Sequence, residues 1–340
     1  MNFGIKSLFN FSSSKIINSI IQIIFVFLLY FGADFIGSKV AIDKIYTLPI
    51  WVPAGIILAA SIIVGYKILP SVLIGILISI IAILTYDFNS FSLWDFSFTS
   101  IGIAIGETLE IFIGTFLIKK IIKENDFFNH PSYFTRFILI AVLISIIGAS
   151  IGSTVLALVY SGTAGIYSTV WLTWLISHLT AYVVITPLIL SLRAKSFLQW
   201  TNKTIIEAIA FIIILIILSQ IIFGEEIPKA VIFSSPYLVI PLLLWAVIKF
   251  SHREVAIALV VLAGFAIWYT VRGSGPFYNG NLERSILSLQ GYLLIISVST
   301  LLLYSAISEL RATEKELRSY KENLELKVAE RSEEIKQNNI

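Results

Sequence analysis

The chain has 340 residues, 57% of them apolar and only 13% charged, with a mean hydropathy of +0.92 and a formal net charge of +3. Soluble domains carry roughly 25% charged residues, so the composition excludes a soluble enzyme, and so small a net charge gives no ground for a nucleic-acid partner. The absence of cysteine rules out disulfides, thiolate zinc sites and a cysteine nucleophile.

A helix crossing ~30 Å of hydrocarbon needs about 20 mostly apolar residues. In chain order the candidate spans are about 16–36, 49–66, 70–86, 97–118, 137–160, 168–192, 204–223, 233–248, 255–271 and 286–307. The first follows a polar segment (Asn10 to Ser14) and Lys15 and lacks a small-residue cleavage site, which reads as an uncleaved span. The stretch 233–248 is the shortest and holds Pro236 and Pro241, so it reads equally as a broken or re-entrant helix. The expected fold is all-α: a polytopic transmembrane helix bundle of about 8–10 spans with a C-terminal cytoplasmic coiled-coil helix. The boundary between membrane domain (1–306) and signalling helix (307–340) is drawn where the last apolar run stops.

Orientation follows from the basic residues. With a cytoplasmic N-terminus, twelve Lys and Arg side chains between Lys6 and Arg253 fall inside, against Lys39, Lys44, Lys229, Arg272 and Arg284 outside. That asymmetry is the one the positive-inside rule expects, and it places both termini in the cytoplasm. Trp51, Trp94, Trp171, Trp174 and Trp268 fall near the outer ends of their spans. There they serve as interfacial anchors, or line an outward-facing ligand cavity.

Ionisable groups inside a membrane are expensive and default to functional candidates. Glu107 and Glu110 stand ten and thirteen residues into the fourth span, on one helical face, and His178 stands at similar depth in the sixth. The three converge on one polar site in the bundle interior, with Thr108, Ser177 and Thr180 as hydrogen-bond suppliers. Such a cluster binds a ligand or a proton, or is a satisfied network that fixes helix register; a single histidine and no cysteine argue against a metal. No cofactor is expected. Glu207, four residues after Lys203, reads as half of an interfacial ion pair. Gly102, Gly106 and Gly114, with Gly148 and Gly152, read as sites of close helix approach. The loop from Arg272 to Phe277 reads as a tight turn or as the lip of an outer ligand site, with Arg272 its candidate contact.

Beyond the last span, Ile307 at heptad position a and Leu310 at d put Leu317 and Leu324 at d and Val328 and Ile335 at a. Glu314, Lys321 and Arg331 share that seam, so the pairing it supports is weak. Neither Gly nor Pro occurs from Tyr292 to Ile340, which predicts one continuous helix from bilayer to tail.

Several segments, in order, resemble the membrane-associated sensor domain of type one (the MASE family of bacterial signalling proteins). They are Trp51-Val-Pro53-Ala-Gly55 with Gly65, Pro70 and Gly75; Gly106-Glu-Thr-Leu-Glu110; Thr186-Pro187; Pro241-Leu-Leu-Leu-Trp245 with Lys249-Phe250; and Arg272-Gly-Ser-Gly-Pro276-Phe277. Glu107 stands where the family pattern implies an amide, and His178 and Ala181 stand where it implies an acidic residue followed by glycine. The resemblance implies a multi-pass protein of the bacterial inner membrane, coupled to a histidine kinase, diguanylate cyclase or phosphodiesterase output. Leu324-Glu-Leu-Lys-Val-Ala-Glu-Arg331 is similar to the helix that leads into kinase domains. His130, His178 and His252 lack a phosphoacceptor-like context and no cyclase signature occurs, so the output is expected outside these residues.

The expected protein is therefore a non-enzymatic sensory module that detects a small ligand or a membrane or periplasmic signal. It forms a homodimer through the C-terminal helix, with Leu310, Leu317, Leu324 and Val328 as transmission residues. The alternative is a proton-coupled carrier or channel using the midplane carboxylates.

Overall fold

The computed structural model describes residues 15–38, 48–87, 93–122, 128–159, 164–192, 201–224 and 235–338. Among the basic residues used for orientation, Lys6, Lys39, Lys44, Lys123, Arg193, Lys195 and Lys229 lie outside the described residues, as does the side chain of Ile335. Within the described residues there are ten α-helices and no strand: α1 Lys15–Ser38, α2 Val52–Val64, α3 Leu69–Asp87, α4 Leu93–Ile121, α5 Pro131–Val159, α6 Tyr167–Ser191, α7 Asn202–Phe223, α8 Ile240–Lys249, α9 His252–Val271 and α10 Leu282–Asn338.

Each expected apolar stretch coincides with one helix. Seven of the described helices (α1, α4, α5, α6, α7, α9 and the first part of α10) are long and apolar enough to cross a membrane. The stretches Val52–Val64, Tyr66–Ile78 and Pro236–Lys249 are apolar but shorter. At ~1.5 Å per residue α2 is only about 20 Å long, less than a bilayer core. Proline explains both short starts. Pro53 and Pro241 occupy the first turns of α2 and α8, where a missing N–H costs nothing, and Pro236 opens a 3₁₀ turn just before α8. The other end of α2 is set by Gly65, whose φ of 99° is open to glycine and strained for other residues.

Small residues set how closely the helices pack. α4 and α5 run antiparallel with Gly102 against Val155, Gly106 against Ile151 and Gly114 against Ile144; a Cβ at any of these glycines would come within 2.8 Å of the facing side chain. α2 crosses α6 closely enough that a Cβ at Gly55 would lie 2.5 Å from the Ala181 carbonyl, and Thr186 Oγ1 donates to the Gly55 carbonyl at 3.0 Å across the same crossing. Between α2 and α4, the hydroxyls of Ser61 and Thr115 meet at 2.5 Å. Polar contacts of this kind fix helix register in an apolar surrounding where apolar burial cannot. α9 opens with a capping box in which the Glu254 carboxylate accepts from the Ser251 backbone N–H.

α10 is one unbroken helix of 57 residues. Its first half buries Leu289, Leu293, Ile296, Leu301 and Tyr304 in the bundle, and past Arg311 it leaves the bundle with its side chains exposed. The predicted junction between span and tail therefore lies within a single helix.

Candidate functional site

The site is built where α4, α5 and α6 pack around the N-terminus of α2. Glu110 of α4 and His178 of α6 are 1% and 5% exposed, and His178 Nδ1 lies 3.1 Å from Glu110 Oε2. Tyr182 donates its hydroxyl to Glu110 Oε1 at 2.7 Å. One turn of α6 on either side of His178 supplies its aromatic neighbours, because residues i−4 and i+4 share its face. Trp174 stacks nearly parallel to the imidazole, with ring centroids 6.2 Å apart and planes 12° apart, while Tyr182 meets it edge-on. Trp51, just before α2, stacks nearly parallel to the same imidazole at 6.4 Å and 7°. His178 thus sits in a tryptophan–histidine–tryptophan ladder with a carboxylate on its Nδ1.

α5 makes the room. A Cβ at Gly148 would collide with the Glu110 carboxylate, and a Cβ at Gly152 would collide with the Trp174 indole. The two glycines expected to permit close helix approach serve here as slots for the two largest polar and aromatic members of the site. Trp171, one turn earlier on α6, donates its indole N–H to Ser150 Oγ at 3.0 Å, which ties α6 to α5 beside the slots.

Glu107 is buried one turn before Glu110, and Tyr30 of α1 and Trp51 direct their polar atoms toward it. Asp34, also on α1, is 3% exposed and close enough to act electrostatically on both Tyr30 and Glu107. The structure brings Glu107, Glu110 and His178 together, with Trp51 and Trp174, two of the tryptophans read as interfacial anchors or cavity lining, beside them; Tyr30, Asp34 and Tyr182 are neighbours the sequence did not single out. Trp174 and Tyr182 were legible from their four-residue spacing about His178. Tyr30 and Asp34 lie on a helix whose position no local pattern gives.

Three expectations are corrected. Thr108 and Thr180 donate to the carbonyls of Ala104 and Ile176 on their own helices, not to the acidic cluster. Ser177 contributes through its carbonyl, which accepts the backbone N–H of Trp51 at 3.4 Å. Glu207 pairs with Lys249 at the end of α8, Nζ to Oε2 3.1 Å, not with Lys203. Arg272 stands apart from the cluster, its guanidinium 3.7 Å from the centroid of the Trp268 ring one turn earlier on α9. The loop after it is held by Ser274 donating to the Tyr269 carbonyl and by Phe277 packing on Phe223 and Tyr292. Among the described residues no group of three His, Asp or Glu is arranged to hold a metal ion.

The site is joined to α10 at short range. Gln290 Nε2 donates to the carbonyls of Leu48 and Pro49, at 3.3 and 3.0 Å, in the strand of chain that ends at Trp51. Trp51 is thereby strapped between His178 and the last helix. At the other end of the bundle a second set of contacts grips α10 as it leaves. His130 Nδ1 lies 2.9 Å from Glu309 Oε1, Ser308 donates to Asn129, Arg311 donates to the Ile248 carbonyl, and Tyr304 packs edge-on against His252.

A comparison with protein families finds that the family model MASE1 matches residues 22–311, which takes in every helix of the bundle except the first turns of α1 and all of the site. Neither curated proteins nor solved structures give a match.

Proposed function

The chain belongs to the MASE1 family of membrane sensory domains, and we propose that it reads a signal at the Trp51–Trp174–His178–Glu110 site and passes it along α10 to a cytoplasmic output. In this reading the module catalyses nothing itself. A small ligand, or a change at the outer membrane face, alters the stacking of Trp51 on His178. The change travels through the Leu48–Pro49 carbonyls to Gln290 and is delivered by the tail, paired with that of a second copy, to a histidine kinase or a cyclic-di-GMP enzyme.

The observation that carries this reading is the Gln290 contact. It sits on the same unbroken helix as Leu310, Leu317, Leu324 and Val328, so that a shift at one end of α10 is a shift at the other. Coupling between sites needs a contiguous element with two arrangements that both sites bias. The tail supplies the second arrangement, because its seam carries Glu314, Lys321 and Arg331 among its apolar positions and so pairs weakly. A carrier would need carboxylates free to exchange with water, whereas both Glu110 oxygens are held by His178 and Tyr182 in a buried position.

The test is a phase scan. A histidine-kinase core is fused after Ile340 through linkers lengthened by one to seven residues, and its autophosphorylation is measured in native membranes. Activity is expected to follow the helical phase, about 100° per added residue, and to return to its starting level at seven, because a helical lever transmits rotation. Activity indifferent to linker phase would refute transmission through α10.

A further inference from the structure

We infer that the exposed face of α10 inside the bilayer is itself the contact face between two copies of this chain, so that the dimer begins in the membrane and not in the tail. The inference rests on the reading of α10 as a paired lever, and it extends that pairing to residues within the bundle.

The first argument is register. Each residue of a helix turns about 100°, so positions 36 apart complete about ten turns and share a face. Arg284, Ser288, Ile295, Ser299, Leu302, Leu303 and Ala306 are the positions at which the bundle leaves α10 exposed, and Leu310, Leu317 and Leu324 are apolar d positions of the tail seam. All ten fall within one stripe about 100° wide when each residue is given its 100° turn. A face that changed direction at the membrane boundary would have separated the two halves. The stripe does not change direction.

The second argument is shape. Beside this stripe, between α10 and the Pro236–Lys249 stretch, runs a groove of about 500 Å³. Tyr237, Ile240 and Leu244 form one wall, while Ser288, Gly291 and Ser299 form the other. A Cβ at Gly291 would meet nothing within 4 Å, so this glycine makes room for nothing inside its own chain. A second α10 laid parallel to the first by a two-fold axis brings the copy's Ile295, about one turn from Gly291 in depth, against that opening, and the symmetry makes the contact reciprocal.

Lipid is the competing occupant, and α7 shows what a lipid face looks like in this protein. Between residues 205 and 219 its exposed side chains are Ile205, Ile206, Ile209, Ile213, Ile214, Ile216 and Ile217, all branched aliphatic. The α10 face alternates aliphatic residues with Ser288, Gly291, Ser299 and Ala306. Small residues let helix backbones approach closely, and serine hydroxyls bond across the contact; acyl chains reward neither.

The chain contains no cysteine, so single cysteines report on it directly. Ile295→Cys, Ser299→Cys, Leu303→Cys, Ala306→Cys, Leu310→Cys and Leu317→Cys, each in the full chain, are oxidised in native membranes and run on non-reducing gels. Leu294→Cys, off the stripe, and Ile213→Cys, on the lipid face, are the controls. Disulfide-linked dimers are expected throughout the series and at neither control. Gly291→Ile, which fills the groove from within its own chain, is expected to lower the Ser299→Cys yield several-fold while expression and tryptophan emission stay those of the parent.

Cross-links confined to Leu310→Cys and Leu317→Cys overturn the intramembrane contact and leave the paired tail standing. Cross-links as strong at the controls as at Ser299→Cys overturn it as random collision. No cross-link at any position sinks the paired lever together with it.

Discussion

The bundle interior and the end where α10 leaves it each hold a glutamate–histidine pair, at 3.1 Å for Glu110–His178 and 2.9 Å for Glu309–His130, yet the first is 1% and 5% exposed and the second 46% and 40%. Distance alone would rank them equal. Burial separates them, because water screens and competes with the exposed pair, whereas the buried pair has no alternative partner once broken. The Glu110 pair is surrounded by fixed shapes: two indoles near-parallel to the imidazole, Gly148 against the carboxylate and the Tyr182 hydroxyl on its other oxygen. The Glu309 pair joins α10 to the turn before α5, at the point where the lever leaves the bundle. One pair holds an architecture. The other is a solvent-exposed contact on α10.

Removing the buried carboxylate gives the largest effect. Glu110→Ala strands His178 Nδ1 and the Tyr182 hydroxyl in a dry interior, at about 1–3 kcal/mol for each stranded group, so the variant should lose on the order of 3 kcal/mol. Glu110→Gln keeps an acceptor for Tyr182 and should lose less. Thermal unfolding in lipid nanodiscs, followed by tryptophan emission, measures both, since Trp51 and Trp174 flank the imidazole. A Glu110→Ala protein as stable as its parent would erase the contrast between the two pairs.

The fold was legible because lipid demands length: apolar runs of the right size reported the helices directly, and the missing Gly and Pro after Tyr292 reported the continuous lever. The core of the site was legible from depth alone, since Glu110 and His178 count to the same level from one side of the membrane. Hydrogen-bond partners were not. Threonine in a helix satisfies itself on its own backbone, so Thr108 and Thr180 looked like donors to a site they do not touch. Lys203 was chosen for Glu207 by spacing along one helix, and the actual cation, Lys249, arrives from another. Gln290 drew no notice because its meaning depends on which helix neighbours Trp51, and only the packing decides that.

Gln290 also gives the intermediate effect. Its amide joins two backbone carbonyls across the interior, and a typical net hydrogen bond is worth about 0.5–1.5 kcal/mol. Gln290→Leu, close in size, should therefore cost on the order of 1 kcal/mol by the same unfolding assay. Its larger consequence should be functional: the kinase core fused after Ile340 is expected to lose its response to variants at Trp51 while keeping basal autophosphorylation. A response unchanged in Gln290→Leu would move the coupling route elsewhere along α10.

The smallest stability change and the sharpest test of the contrast belong to Glu309→Gln. A polar contact this exposed contributes about 0–1 kcal/mol, so unfolding should shift by no more than roughly 0.5 kcal/mol. The same substitution removes the charge that ties α10 to His130, with Ser308–Asn129 and Arg311–Ile248 left to hold the exit. If that end is where the lever is released, Glu309→Gln should change the basal activity of the fused kinase more than its small stability change can explain. Raised salt should move the parent toward the variant, because counterions weaken the field of an exposed carboxylate and the Debye length falls from about 10 Å at 0.1 M to about 3 Å at 1 M. The buried pair should show the reverse pattern, with stability lost on substitution and little response to salt. A Glu309→Gln protein that is strongly destabilised, or one whose output and salt response match the parent, would show that both pairs hold the helix in the same way.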